Sequence, residues 1–149
     1  MGYLKKLYYK YKFNRLNKDK VKLFSLDGKK IYAKCVDVYD GDTVTLMLYI
    51  HKHPYKIKCR LDGIDTAELK SNNEREVQVA ILAKELVSEK ILGKTVKVHC
   101  GKWDKFGRLL GTIKLKKEKT TLNQLLLDEK LAYKYRGNKK LAFELWYGQ

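Results

Sequence analysis

The amino-acid sequence predicts an α+β domain, a five-stranded OB-fold β-barrel with about three flanking helices. Three observations carry that expectation. Apolar and polar residues alternate in three successive runs between Ile31 and Leu61. One long run with helical spacing follows, and two more alternating runs come after it. Strand, strand, strand, helix, strand, strand is the element order of that barrel.

Taken in order, residues 31–39, 43–50 and 55–61 are rich in β-branched and aromatic side chains. Val44, Leu46, Leu48 and Ile50 share one face of the second run, and Tyr55, Ile57, Cys59 and Leu61 share one face of the third. Asp40-Gly41 and the stretch around Lys52-His53-Pro54 supply turns, so three antiparallel strands are the simplest reading. Ser71-Asn72-Asn73-Glu74 has capping-box spacing ahead of Val77, Ala80, Ile81, Ala83, Leu86, Val87 and Ile91, an amphipathic helix stopped by Gly93. Strands are expected at residues 95–100 and 109–115. Thr121-x-x-Gln124 then opens a helix carrying Leu122, Leu125, Leu126 and Leu131, and Leu141, Phe143, Leu145 and Trp146 mark a short last helix.

Residues 1–22 differ in character from residues 23–149, and the chain divides there into a basic, possibly helical arm and a folded domain. Asp19 is the only acid of the arm, and Leu4, Leu7, Tyr8 and Tyr11 fall at helical spacing among its lysines. Such an arm suits an anionic membrane surface or a nucleic acid, and it equally suits a helix docked on the domain. Gly2 meets one requirement of an N-myristoylation signal, but Lys6 stands where that signal wants Ser or Thr.

Charge narrows the partner. The 149 residues contain 33 Lys and Arg against 17 Asp and Glu, a formal net charge of +16. Such a field gathers polyanions, and nucleic acid is the foremost of these. Cys35, Cys59 and Cys100 form no CxxC pair, each lies in a strand run, and all three are expected as buried reduced thiols. Lysines interrupt the apolar residues of the N-terminus, so neither a secretory signal nor a membrane span is expected, and an intracellular site, with membrane-surface or nuclear association open, follows by default; a monomer is expected. His51 and His53 lack the further ligands that a zinc site needs. No Gly-rich phosphate loop or Ser or Cys nucleophile motif is visible.

Chemistry is concentrated in short clusters that interleave carboxylates with arginines: Asp40-Gly41-Asp42-Thr43, Arg60-Leu61 with Ile64-Asp65-Thr66-x-Glu68, and Asp104-Lys105-Phe106-Gly107-Arg108. Carboxylates suit a hard divalent cation and arginines suit an anion, so together they suit metal-assisted attack on a phosphodiester.

These clusters, with Ala132-Tyr133-x-Tyr135 after them, occur in the order found in staphylococcal-nuclease-like (thermonuclease) proteins, and the chain resembles that family from about Lys34 to about Arg136. The resemblance implies a Ca²⁺-dependent, sugar-nonspecific nuclease that hydrolyses phosphodiester bonds of DNA and RNA and leaves 3′-phosphate ends. Asp42, Asp65 and the Thr66 carbonyl would hold Ca²⁺, with Asp40 orienting from behind. Glu68 would act on the attacking water, Arg60 and Arg108 would clamp the phosphate, and Lys105, Tyr133 and Tyr135 would bind substrate. The two tyrosines read as well as half-buried barrel residues. Ala67 stands where the family commonly has Pro, Phe106 replaces a Tyr, and the stretch between Glu68 and the helix is short.

Two rivals come from other classes. One is a catalytically inactive OB-fold module that only binds nucleic acid, and retention of Asp42, Arg60, Asp65, Glu68 and Arg108 argues against it. The other is a membrane-surface protein located by its N-terminal arm.

Overall fold

A computed structural model describes residues 2–116 and 119–148. Met1, the first residue of the arm, and Gln149, the last of the expected domain, lie outside them. The chain runs α1 (Gly2–Asn14), β1 (Lys30–Val38), β2 (Thr43–Ile50), β3 (His53–Leu61), β4 (Ile64–Thr66), α2 (Glu74–Ile91), β5 (Thr95–Trp103), β6 (Leu109–Lys114), α3 (Leu122–Asp128), β7 (Ala132–Lys134) and α4 (Phe143–Trp146).

Five of these strands close a barrel in the order β1-β2-β3-β6-β5, with β5 returning to β1. All neighbours are antiparallel except β3 and β6, whose parallel pairing of Cys59 with Leu109 and Arg60 with Leu110 completes the closure. The strand alternation has a direct cause: Ala33, Cys35, Val44, Leu46, Cys59, Leu61, Val98, Leu109 and Ile113 fill the interior, each at most 2 % exposed. The three cysteines are free and buried, and burial pushes the Cys59 thiol up to about 12. Ile57 packs at the core's edge, whereas Tyr55, expected on the same inward face, is half exposed.

The β2–β3 hairpin turns more tightly than the sequence suggests. Its two linking residues are His51 and Lys52, both with positive φ (48° and 71°), and His53 and Pro54 already belong to β3. Positive φ at both positions gives the turn the twist that matches the flanking strands. The α2 cap also differs from expectation. Asn73 is the N-cap, accepting from the Arg75 and Glu76 amides, and Ser71 instead donates to Glu76 Oε2. Thr121 caps α3 as its spacing predicts, accepting from the Gln124 amide.

Helix α2 lays Ala83, Val87 and Ile91 on the barrel and turns Val79 and Ala80 toward Ala67 and Phe143. Asn123 of α3, 6 % exposed, donates to the Asp62 and Gly111 carbonyls and accepts from the Ile113 amide, fixing α3 to the barrel wall. By contrast, α1 has no buried residue, and Leu4, Tyr8, Tyr11 and Phe13 stand open to solvent. No helix of the described residues is long and apolar enough to cross a membrane.

Candidate active site

Two three-residue strands absent from the sequence reading build the site. β4 and β7 pair antiparallel outside the barrel and set Asp65 opposite Tyr133 and Thr66 opposite Ala132. β4 follows β3 after a two-residue turn, Asp62-Gly63, with Gly63 at φ +78°. Asp65 therefore returns past the end of β3, where Arg60 sits.

Asp42 reaches the same place from the β1–β2 turn. Asp40 holds that turn, its Oδ1 accepting from the Asp42 and Thr43 amides at 3.0 and 2.8 Å. Gly41 is required there by space: a β-carbon on it would stand 2.7 Å from the Ala83 side chain of α2. The Asp-Gly-Asp-Thr motif thus presses its backbone against a helix and presents Asp42 inward. Asp40 acts through the backbone of the turn, and beyond the effect of burial its charge beside Asp42 adds to the rise of the Asp42 carboxyl.

Arg60 joins the pieces. Its Nη2 donates to Asp65 Oδ1 at 2.5 Å and to Asp42 Oδ2 at 3.2 Å, its Nη1 donates to the Ile64 carbonyl at 2.9 Å, and the Tyr135 ring lies 5.5 Å from the guanidinium. Arg60, Asp42, Asp65 and Thr66 are all under 9 % exposed. Asp42 also accepts from the Thr43 hydroxyl at 2.9 Å, and Asp65 Oδ2 accepts from the Tyr133 hydroxyl at 2.7 Å.

Burial raises both carboxyls above the ordinary carboxylate range. Arg60 works against that rise at Asp42, and the Tyr133 hydrogen bond and Lys140 work against it at Asp65. The same burial and the bond to Asp65 push the Tyr133 phenol up to about 12.

Glu68 lies at the edge, its carboxylate 59 % exposed and accepting from Lys140 Nζ at 2.6 Å. The same ammonium is 3.3 Å from Asp65 Oδ1. Burial would lower the Lys140 pKa, but Glu68 and Asp65 overcome that effect and hold it at about 12. Lys140 is the site residue that sequence reasoning missed. It carries no periodic signal, lying in a basic run before Leu141, and its partners are set only when the Leu141 amide docks on the Tyr133 hydroxyl at 3.1 Å.

Arg108 is held apart from this knot. It lies in the turn from β5 to β6, where Gly107 takes φ +77°, and its Nε donates to Asp104 Oδ2 at 2.7 Å. Asp104 also accepts from the Phe106 and Arg108 amides, and although burial pushes the other way these bonds hold its carboxyl below the ordinary range. Arg108 immediately precedes β6, whose Leu110 is the strand partner of Arg60. Its guanidinium stacks 5.4 Å over the exposed Phe106 ring, and the Lys105 ammonium lies 5.1 Å from the same ring.

The donor chemistry fits a hard divalent cation. Two buried carboxylates converge on one guanidinium, and the Thr66 carbonyl follows Asp65 in sequence. Among the described residues no group of three or more His, Cys, Asp and Glu forms a metal cage. A cation held here would therefore take few protein oxygens and complete its shell with water and a phosphate oxygen.

A closed barrel thus carries at one end two buried acids bridged by an arginine. A family model for staphylococcal nuclease homologues matches residues 58–145, more than half of the chain, and the chain belongs to that family. The matched stretch includes Arg60, Asp65, Thr66, Glu68, Arg108, Tyr133 and Tyr135, while Asp42 comes from the turn before it. No curated protein matches the chain.

Proposed function

We propose that this protein is a Ca²⁺-dependent nuclease that hydrolyses phosphodiester bonds of DNA and RNA without regard to the sugar, leaving 3′-phosphate ends. The observation that carries this reading is the single guanidinium of Arg60 bridging two buried carboxylates, Asp42 and Asp65, in a member of the staphylococcal nuclease family.

Asp42, Asp65 and the Thr66 carbonyl are the residues that would hold Ca²⁺, which when bound polarises the phosphoryl group. Asp40 keeps the Asp42 turn in shape. Arg60 already contacts both acids, so it is set to exchange one carboxylate for a phosphate oxygen as the site fills. Glu68, exposed and next to Asp65, accepts the proton of the attacking water or orients it, once Lys140 gives it up. Arg108 leaves Asp104 to bind the phosphate as negative charge grows on it. Tyr133 holds Asp65 through its hydroxyl, Tyr135 supports Arg60, and Lys105 adds positive charge at the rim.

The test is digestion of single-stranded DNA and RNA by the wild type and by Glu68→Gln, with Ca²⁺ and with chelator. Cleavage by wild type with Ca²⁺ alone is expected. Binding without cleavage by both proteins would replace this reading with that of an inactive binding module.

We infer further that residues 1–22 act as an arm apart from the domain at 23–149. Leu4 and Tyr11 are 74 % and 59 % exposed among lysines, which supports contact with an anionic membrane. Flotation of the full chain with phosphatidylserine vesicles, but not with Leu4→Glu/Leu7→Glu, is the expected result. Equal flotation of both would remove the arm from that role.

A further inference from the structure

The outer face of the barrel beside Arg60 carries positive charge that the site does not use. Along β3, Lys56, Lys58 and Arg60 fall on alternate residues, opposite to Ile57, Cys59 and Leu61, which face the core. Lys56 and Lys58 are exposed, and among the described residues neither has an ion pair or side-chain hydrogen bond. The strand partners extend the row sideways: Lys58 lies opposite Thr45, Lys56 opposite Met47, and Met47 in turn opposite Lys34 of β1. Lys34 is likewise exposed and unpaired.

Beyond Lys56 the next outward pair is Pro54 with Tyr49, and the Tyr49 ring is 74 % exposed. A shallow open hollow of about 600 Å³ lies on this face, with Thr45, Met47, Pro54 and Lys56 in its lining. Asp37, opposite Thr45 at the β1 bulge, is the acid that borders it.

We propose that this face is a track for single-stranded nucleic acid leading away from the cleavage site. Outward side chains on one strand repeat about every 6.6 Å, close to the spacing of successive phosphates in an extended strand. Lys58 and Lys56 therefore take the two phosphates next to the one at Arg60, and Lys34 reinforces the second. Tyr49 offers a flat exposed ring on which an unpaired base stacks, which selects single strand over duplex. Nothing in the row reads base edges, so the track is indifferent to sequence. The inference rests on the nuclease reading for the direction in which the strand runs, but its binding test does not need catalysis.

The experiment compares the full-length wild type with Lys56→Gln/Lys58→Gln and with Tyr49→Ala. Binding of fluorescein-labelled oligothymidylate is followed by anisotropy in chelator across a salt series, beside cleavage of a dinucleotide and of a long single strand with Ca²⁺. The double variant is expected to lower the slope of log affinity against log salt by about 1.4, two single-strand phosphates' worth. It should raise KM for the long strand while leaving dinucleotide cleavage and the melting temperature as in wild type. Tyr49→Ala is expected to weaken binding about tenfold with the slope unchanged.

An unchanged slope in the double variant, no oligothymidylate binding by wild type, or tighter binding of duplex than of single strand would each overturn the track. Absence of cleavage by wild type together with the expected slope change would sink the nuclease reading and leave the track standing.

Discussion

Arg60, near the end of β3, and Arg108, in the turn that leads into the neighbouring strand β6, are held in opposite ways. Arg60 is 8 % exposed, bonded to two acids that arrive from different elements, and backed by Tyr135. Arg108 is bonded to an acid four residues away in its own turn, and its stacking partner Phe106 is 72 % exposed. The first arginine is part of what folds the site together, and the second is parked locally. In the proposed nuclease these two would form a phosphate clamp with one fixed jaw and one free jaw.

The largest expected effect separates them most clearly. Arg60→Gln leaves two buried carboxylates without their shared counter-ion, so urea unfolding should show a loss of about 3–5 kcal/mol, with cleavage abolished. Unaltered stability would mean that Arg60 does not tie the site. Arg108→Gln should lower kcat by about 10²–10³ while unfolding moves by less than about 0.5 kcal/mol. Arg108→Lys should recover only part of the rate, because charge is kept but the fork is lost. A large stability loss in either Arg108 variant would erase the distinction.

A smaller effect concerns the acids. Burial raises the Asp42 carboxyl, so the folded state binds its proton more tightly than the unfolded chain does. That contribution to stability is present below the unfolded pKa and disappears as pH rises through the raised folded value. Asp42→Asn removes the charge at every pH, and Arg60 keeps Asp65 and the Ile64 carbonyl. Its melting temperature should therefore exceed wild type by about 2–4 °C at neutral pH, with the gain vanishing in acid and cleavage lost. A lower melting temperature at neutral pH would assign Asp42 a stabilising role instead.

The smallest effect is at Lys140. This ammonium sits on both Glu68 and Asp65 and so opposes a second cation, but its side chain is half exposed and screened by water. Lys140→Met should tighten Ca²⁺ binding about threefold, read by calorimetry. Weaker binding in that variant would make Lys140 a support of the site.

How much of this was legible in the sequence follows from the range of each signal. The barrel strands and α2 announce themselves because apolar residues recur at a fixed period along one face of each. Asp42, Arg60 and Asp65 are visible through their motifs. β4 and β7 were not, since three residues carry no period and their pairing exists only after residues 64–66 meet residues 132–134. The β2–β3 turn is expected around residues 52–54 because Pro54 marks turns more often than strands, yet here it sits opposite Tyr49 within β3. Lys140 had no signal at all: a lysine in a basic run gains its meaning from a tertiary contact. The motif containing Arg108 was plain, but that its arginine is held by its own turn and not by the acid pair is a matter of geometry.

The most direct measurement is a calorimetric titration of Ca²⁺ into the wild type, Asp65→Asn and Arg108→Gln. One Ca²⁺ site is expected in the wild type, with its loss in Asp65→Asn and its retention in Arg108→Gln. No Ca²⁺ binding by the wild type, or equal binding by Asp65→Asn, would contradict the claim that the acid pair tied by Arg60 is the seat of the metal.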